Sequence, residues 1–142
     1  MKNRPVLYMD VVGTLLADKG GRMDIAPFAQ AFVKDVGARF DVRILSALEE
    51  HQVMRVCKSL QLKASYVSYR HGLGKSSSIE YSENFFWIEE DPSPADLLRL
   101  VDERCSDRLI PVNRREGVTQ QTLRKLNDCL AGPVVEREAG ME

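Results

Sequence analysis

The sequence predicts an α/β domain with a mainly parallel sheet, and three observations carry that prediction. Short apolar runs of strand length alternate with longer stretches whose apolar residues recur at helical spacing. The first run, Val6-Leu7-Tyr8-Met9, closes on a carboxylate and a Gly-Thr turn, Asp10-Val11-Val12-Gly13-Thr14. The 142 residues contain no internal repeat, no linker and no second domain. In an open parallel sheet, ligands gather at the carboxyl ends of the strands. Asp10 is therefore placed at the mouth of a site, free to act as nucleophile or metal ligand. Gly13 lets the backbone leave the strand sharply, and Thr14 offers a hydroxyl there.

The remaining elements follow in order. Lys19-Gly20-Gly21 predicts a tight turn and a small hairpin. Ala26 to Val36 predicts a helix, with Pro27 in its first turn, Phe28, Ala29, Phe32, Val33 and Val36 on one face, and Gly37 as its stop. Phe40 to Leu45 is a second strand ending at Ser46. Ala47 to Leu60 is a helix, with Ser46 as its cap and Glu49 completing a capping box. Ala64 to Tyr69, rich in β-branched and aromatic residues, is a third strand. His71 to Gly74 is a loop, and Lys75-Ser76-Ser77-Ser78 begins a short irregular turn. Asn84 to Ile88 is a strand that ends in Glu89-Glu90-Asp91-Pro92. Pro94 to Cys105 is a helix, with Leu97, Leu98, Val101 and Cys105 facing inward. Arg108 to Val112 is a fifth strand. Thr119 caps a last helix that ends at Leu130, with Gly132-Pro133 as its stop. The domain is thus expected over residues 1–131, with 132–142 as a flexible tail.

Composition excludes several functions. The net charge of −1 supplies no field for nucleic acid or an anionic membrane. The apolar fraction of 44% and charged fraction of 29% are ordinary for a globular domain. Cys57, Cys105 and Cys129 are odd in number and far apart, so buried free thiols in a reducing cytosol are expected. No apolar run approaches the length of a membrane helix. The apolar run after the basic Met1-Lys2-Asn3-Arg4-Pro5 is too short for a signal peptide. A cytoplasmic location is the expectation.

The first motif, a strand followed by Asp10-Val11-Val12-Gly13-Thr14-Leu15, resembles the first motif of the haloacid dehalogenase superfamily. Three further places, spread over roughly residues 5 to 130, match that family's motifs in order. Asp10 matches the nucleophile. Ser46 matches the hydroxyl that holds the transferring phosphoryl group, and Thr14 is expected to assist it. Lys75 matches the lysine that pairs with both nucleophile and phosphate. The acidic cluster after Ile88 matches the carboxylates that hold Mg2+. The resemblance implies a Rossmann-like three-layer sandwich, with a five-stranded sheet flanked by helices and little or no cap. It also implies Mg2+-dependent phosphoryl transfer through an aspartyl-phosphate, on a phosphorylated small molecule or protein. The implied metal ligands are Asp10, the backbone carbonyl of Val12, Glu90 and Asp91. Such a set is physically coherent, because a carboxylate cannot attack a dianionic phosphate until a hard cation and a lysine neutralise the charge.

Two departures qualify the resemblance. The family's phosphatases carry a second Asp two residues after the first, which protonates the leaving group and then activates water. Val12 stands in its place and does neither, so hydrolysis is expected to be slow or absent. The family also prefers Asp-Asp or Gly-Asp where this chain has Glu89-Glu90, and the longer side chain changes the reach to an octahedral metal. A binding module of the same fold, recognising a phosphorylated ligand or a protein partner without turnover, is therefore the competing expectation. Gly72-Leu73-Gly74-Lys75-Ser76 does not make a phosphate-binding loop, because the required first glycine falls at Tyr69. His51 and His71 lie too far from Cys or acidic pairs to suggest zinc. Arg114-Arg115 reads as a solvated basic loop, with phosphate recognition as the alternative.

Overall fold

The structure is a computed structural model and describes residues 4–69 and 71–140. Of the expected N-terminal segment, Met1 to Asn3 lie outside the described residues, as do Met141 and Glu142 of the expected tail. In chain order come β1 (Val6–Met9), β2 (Leu16–Lys19), β3 (Arg22–Ile25), α1 (Ala29–Arg39), β4 (Asp41–Leu45), α2 (Glu50–Ser59) and β5 (Ser65–Val67). Two 3₁₀ turns follow at His71–Leu73 and Lys75–Ser78, then β6 (Phe85–Glu89) and α3 (Pro94–Asp102). A 3₁₀ turn at Ser106–Arg108, β7 (Leu109–Pro111) and α4 (Gln120–Gly140) complete the chain. Among the described residues, no helix is long and apolar enough to cross a membrane.

Five strands form one sheet in the order β5-β4-β1-β6-β7, with every neighbouring pair parallel. β1 sits at its centre and is buried at all four positions, as a strand covered on both faces must be. Leu7, Met9, Ile44, Phe86 and Ile88 pack on one face with residues of α1, α2 and α4. Val6, Tyr8, Phe85 and Trp87 pack on the other with Ile79 and Leu100 of α3. This is the expected three-layer α/β arrangement. β2 and β3 make a separate antiparallel hairpin between β1 and α1. Its turn glycines, Gly20 and Gly21, have φ of +69° and +91°, the left-handed conformation that a two-residue hairpin turn demands.

Tertiary contacts moved several boundaries. α1 starts at Ala29 rather than Ala26, because Pro27 and Phe28 form a turn closed by the Ala29 N–H to Ala26 carbonyl bond. It then runs through Gly37, and the chain turns extended only at Phe40, whose N–H donates to the Val36 carbonyl. The cap of α2 is Glu49, not Ser46. The Glu49 N–H donates to Gln52 Oε1 at 3.0 Å, and Ser46 Oγ instead accepts the Leu48 N–H at 3.1 Å. On α3, Leu97, Leu98 and Val101 are 45%, 65% and 59% exposed rather than inward, and the buried positions are Asp96 and Leu100. Of the three free thiols, only Cys57 is fully buried. α4 is capped at Thr119, whose Oγ1 accepts the Thr122 N–H at 3.3 Å, and it buries Leu126. It continues to Gly140, past the expected stop at Gly132-Pro133.

Candidate active site

Strand register assembles the site. Met9 pairs with Ile44 on one side and Ile88 on the other. One residue further along, Asp10 and Glu89 leave the sheet side by side, with Ser46 just past the end of β4. Side chains alternate along a strand, so Asp10 shares a face with Tyr8, and Glu89 shares that same face with Trp87. Both carboxylates are buried, Asp10 at 6% and Glu89 at 2% exposed. Lys75 reaches this face from its 3₁₀ turn. Its Nζ donates to Asp10 Oδ2 at 2.5 Å and to Glu89 Oε1 at 3.0 Å. The other Asp10 oxygen, Oδ1, accepts the Val11 N–H at 2.6 Å, and Glu89 Oε2 accepts the Asp91 N–H at 3.3 Å.

Two buried carboxylates thus face one ammonium. Burial alone would lower the Lys75 pKa, but the charges of Asp10 and Glu89 outweigh it and hold the amine above the ordinary lysine range. On Glu89, burial and then the charge of Asp10 push the pKa up to about 7, although Lys75 opposes them. The negative charge at the strand ends therefore exceeds what Lys75 neutralises. Tyr69 lies close enough to feel Lys75, Asp10, Glu89 and Asp96, and its burial raises its own pKa.

The remaining expected site residues surround this centre. Thr14 is fully buried, and its hydroxyl donates to the Asp10 carbonyl and lies 3.3 Å from that of Val11. In this structure it braces the turn. Val12 bridges to Leu16 at the base of the hairpin. Gly13, at φ +83°, has no room for a Cβ because the Glu90 side chain covers it. Glu90 leaves β6 on the opposite side from Glu89, and its Oε2 accepts from Arg114 Nη1 at 3.1 Å. The same guanidinium donates through Nε to Asp18 Oδ2 of the hairpin at 3.1 Å, and the Asp18 N–H donates to the Arg114 carbonyl at 3.0 Å. Arg114 is therefore an exposed loop residue, as expected, and it also ties the hairpin to Glu90. Asp91 is exposed and meets the site through its backbone N–H on Glu89. Ser46 is 2% exposed at the end of β4. His51 is on the wet face of α2.

Sequence reasoning placed Asp10 and Lys75 but did not single out Glu89 as the partner of Lys75, nor Asp96 on α3. The signal for Glu89 was the period-2 alternation along Phe85 to Glu89, counted against that of Val6 to Asp10. For Asp96 it was the Ser93-Pro94-Ala95-Asp96 capping pattern, which marks the helix start but not its second partner.

Mg2+ fits this donor set by its chemistry. The oxygens of Asp10, Glu90 and Asp91 and the Val12 carbonyl are hard donors, and Mg2+ needs only one or two protein carboxylates beside water and phosphate. Among the described residues, no group of three or more His, Cys, Asp or Glu gathers into an all-protein metal cage.

No protein-family model and no curated protein matches this chain. Among the solved structures similar to it are the following two. One is described as a HAD superfamily (subfamily III A) hydrolase from Legionella pneumophila, with 15% identity over 92% of this chain and 90% of that one, at a TM-score of 0.47. The other is 3-deoxy-D-manno-octulosonate 8-phosphate phosphatase from Moraxella catarrhalis, in complex with magnesium, phosphate and its sugar. It is 17% identical over 93% of this chain and 92% of that one, with a TM-score of 0.44.

Proposed function

We propose that the chain is a phosphohydrolase of the haloacid dehalogenase type, with Asp10 as nucleophile and Mg2+ as cofactor. The observation that carries this reading is the Asp10–Lys75–Glu89 contact, two buried carboxylates on one ammonium at the carboxyl edge of a parallel sheet. An Asp10 carboxylate oxygen attacks the phosphorus of a phosphomonoester, and the ester P–O bond breaks as the new P–O bond to Asp10 forms. The leaving oxygen takes its proton from solvent, because Val12 has none to give. Water then attacks the aspartyl-phosphate, releasing inorganic phosphate and restoring the Asp10 carboxylate. Lys75 neutralises charge on Asp10 and on the incoming phosphoryl oxygens, and Glu89 holds Lys75 in place. Ser46 supplies a hydroxyl from the end of β4. Asp10, the Val12 carbonyl and Glu90 would hold the metal, with Asp91 as a further donor, and Mg2+ supplies positive charge to the phosphoryl oxygens when bound. Glu90 must leave Arg114 to do so.

Among the described residues no cap domain covers the site, which suits a phosphoryl group presented on a larger molecule, a phosphorylated protein or an extended small molecule. Val12 favours a second reading, in which the same site binds such a ligand without turnover. Thermal melting in EDTA, in Mg2+, and in Mg2+ with beryllium fluoride separates the readings. Beryllium fluoride mimics a phosphoryl group on aspartate. At 100 times its Kd it adds about 2.7 kcal/mol, a rise of several degrees in Tm. The rise is expected in the native protein and is lost in Asp10→Asn, which also loses aryl phosphate hydrolysis. A rise without turnover selects the binding module. No rise, or turnover undiminished in Asp10→Asn, refutes the aspartyl mechanism.

A further inference from the structure

Asp96 is a buried carboxylate, 3% exposed, that the proposed chemistry does not use. Its Oδ1 accepts two hydrogen bonds from Ser76, the N–H at 3.0 Å and the hydroxyl at 2.6 Å. Its Oδ2 accepts the Ser93 N–H at 3.2 Å, and its own N–H donates to Ser93 Oγ at 3.1 Å. The Ser93 half of this arrangement is a capping box and concerns only α3. The Ser76 half reaches a residue 20 positions away, the immediate neighbour of Lys75.

Three further features tighten this joint. Gly74 has φ +80°, and a Cβ there would stand 2.6 Å from Asp96 Oδ1, so backbone and carboxylate are in close contact. The Tyr81 hydroxyl donates to the Ser76 carbonyl at 2.8 Å, and Ser77 Oγ donates to the Gly74 carbonyl at 2.7 Å. Finally, α3 turns Asp96 and Leu100 inward while Leu97, Leu98 and Val101 stay 45%, 65% and 59% exposed. The hydrophobic effect by itself favours burying the leucines. The polar clamp on Ser76 and the packing of Leu100 accompany the opposite rotation of the helix.

We propose that Asp96 is a positioning residue for Lys75. By gripping Ser76 through two hydrogen bonds, it fixes the turn from which the Lys75 ammonium reaches Asp10 and Glu89. The consequence for catalysis rests on the phosphohydrolase reading, whereas the positioning itself does not.

The test reads Lys75 directly. Native protein and variants are labelled with acetic anhydride, and acetylation of Lys75 is followed by mass spectrometry against the exposed Lys34 and Lys58. In the native protein Lys75 is protected, with 13% of its side chain exposed. Asp96→Ala is expected to raise Lys75 labelling several-fold while Lys34 and Lys58 stay constant. Asp96→Asn, which keeps one acceptor oxygen, restores part of the protection. Ser93→Ala weakens the α3 cap without touching Ser76 and leaves Lys75 labelling unchanged. On an aryl phosphate, Asp96→Ala lowers kcat by about 10²-fold, the scale of a 1 Å misplacement, with a smaller change in KM. Should Asp96→Ala fail to fold, Ser76→Ala removes the 2.6 Å hydroxyl bond with the cap intact and is expected to give a smaller rise in Lys75 labelling. Unchanged Lys75 labelling in a folded Asp96→Ala or Ser76→Ala protein overturns the proposal, and so does an equal rise in Ser93→Ala. If labelling responds but the native protein neither turns over nor binds beryllium fluoride, the phosphohydrolase reading falls and the positioning role stands.

Discussion

Replacing Glu89 by glutamine should remove a specific part of the pH dependence of stability. Glu89 is buried beside Asp10, and its pKa rises from an ordinary 4.5 to about 7. The folded protein therefore binds the Glu89 proton more tightly than the unfolded chain. That contribution to stability is fully present below pH 4.5 and is lost as pH rises through 7. The shift spans about 2.5 pH units at 1.36 kcal/mol each, so about 3 kcal/mol is at stake. The glutamine amide never ionises and retains an oxygen for Lys75. Urea unfolding in EDTA at about pH 5 and about pH 8 measures both proteins free of divalent cations. Relative to the native protein, Glu89→Gln should gain about 2 to 3 kcal/mol between the two pH values. Titrating groups remote from Glu89 are common to both chains and cancel in this difference. Identical pH dependence in the two proteins would show that Glu89 is not held in a desolvated, negatively charged setting, and the reading of the site as a surplus of buried carboxylate charge would fail.

Two other substitutions probe the same centre. Lys75→Met leaves Asp10 and Glu89 facing each other with no ammonium between them, and should cost about 3–5 kcal/mol in a urea melt at neutral pH; a loss below about 1 kcal/mol would mean that the contacts at 2.5 and 3.0 Å do not hold the site together. Val12→Asp supplies the missing acid and should raise aryl phosphate turnover by roughly 10²–10⁴; no gain in a folded protein that binds Mg2+ would show that more than this one group is missing.

Much of this arrangement was legible in the chain alone. The period-2 and 3.6-residue patterns located strands and helices, because burying one face of an element leaves its period in the chain. Asp10 stood out as a carboxylate closing a buried strand before a Gly-Thr turn, and Lys75 by its place in the motif order. Boundaries were less legible where local signals were overruled. Gly37 stays inside α1, which ends only where the Phe40 N–H donates to the Val36 carbonyl, and Glu49 rather than Ser46 caps α2, because Gln52 completes a capping box with Glu49 while Ser46 Oγ accepts the Leu48 N–H.

Partner choice was not written locally at all. Glu89 and Glu90 are adjacent and chemically alike, yet one is buried on Lys75 and the other lies across Gly13 against Arg114. The parallel register of β1 and β6, with Met9 opposite Ile88, decides between them. Alternation sends successive side chains to opposite faces, so a one-residue slip would exchange their roles. The rotation of α3 was not written locally either: its apolar pattern alone turns Leu97, Leu98 and Val101 inward, whereas they are exposed, with Asp96 bonded to Ser76 and Leu100 buried. The sequence by itself determined the elements, their order and which side chains stand at the strand ends, because those follow from local propensity and periodicity. Only the tertiary structure decided which carboxylate meets which cation, because that depends on register and on buried polar contacts between residues far apart in the chain.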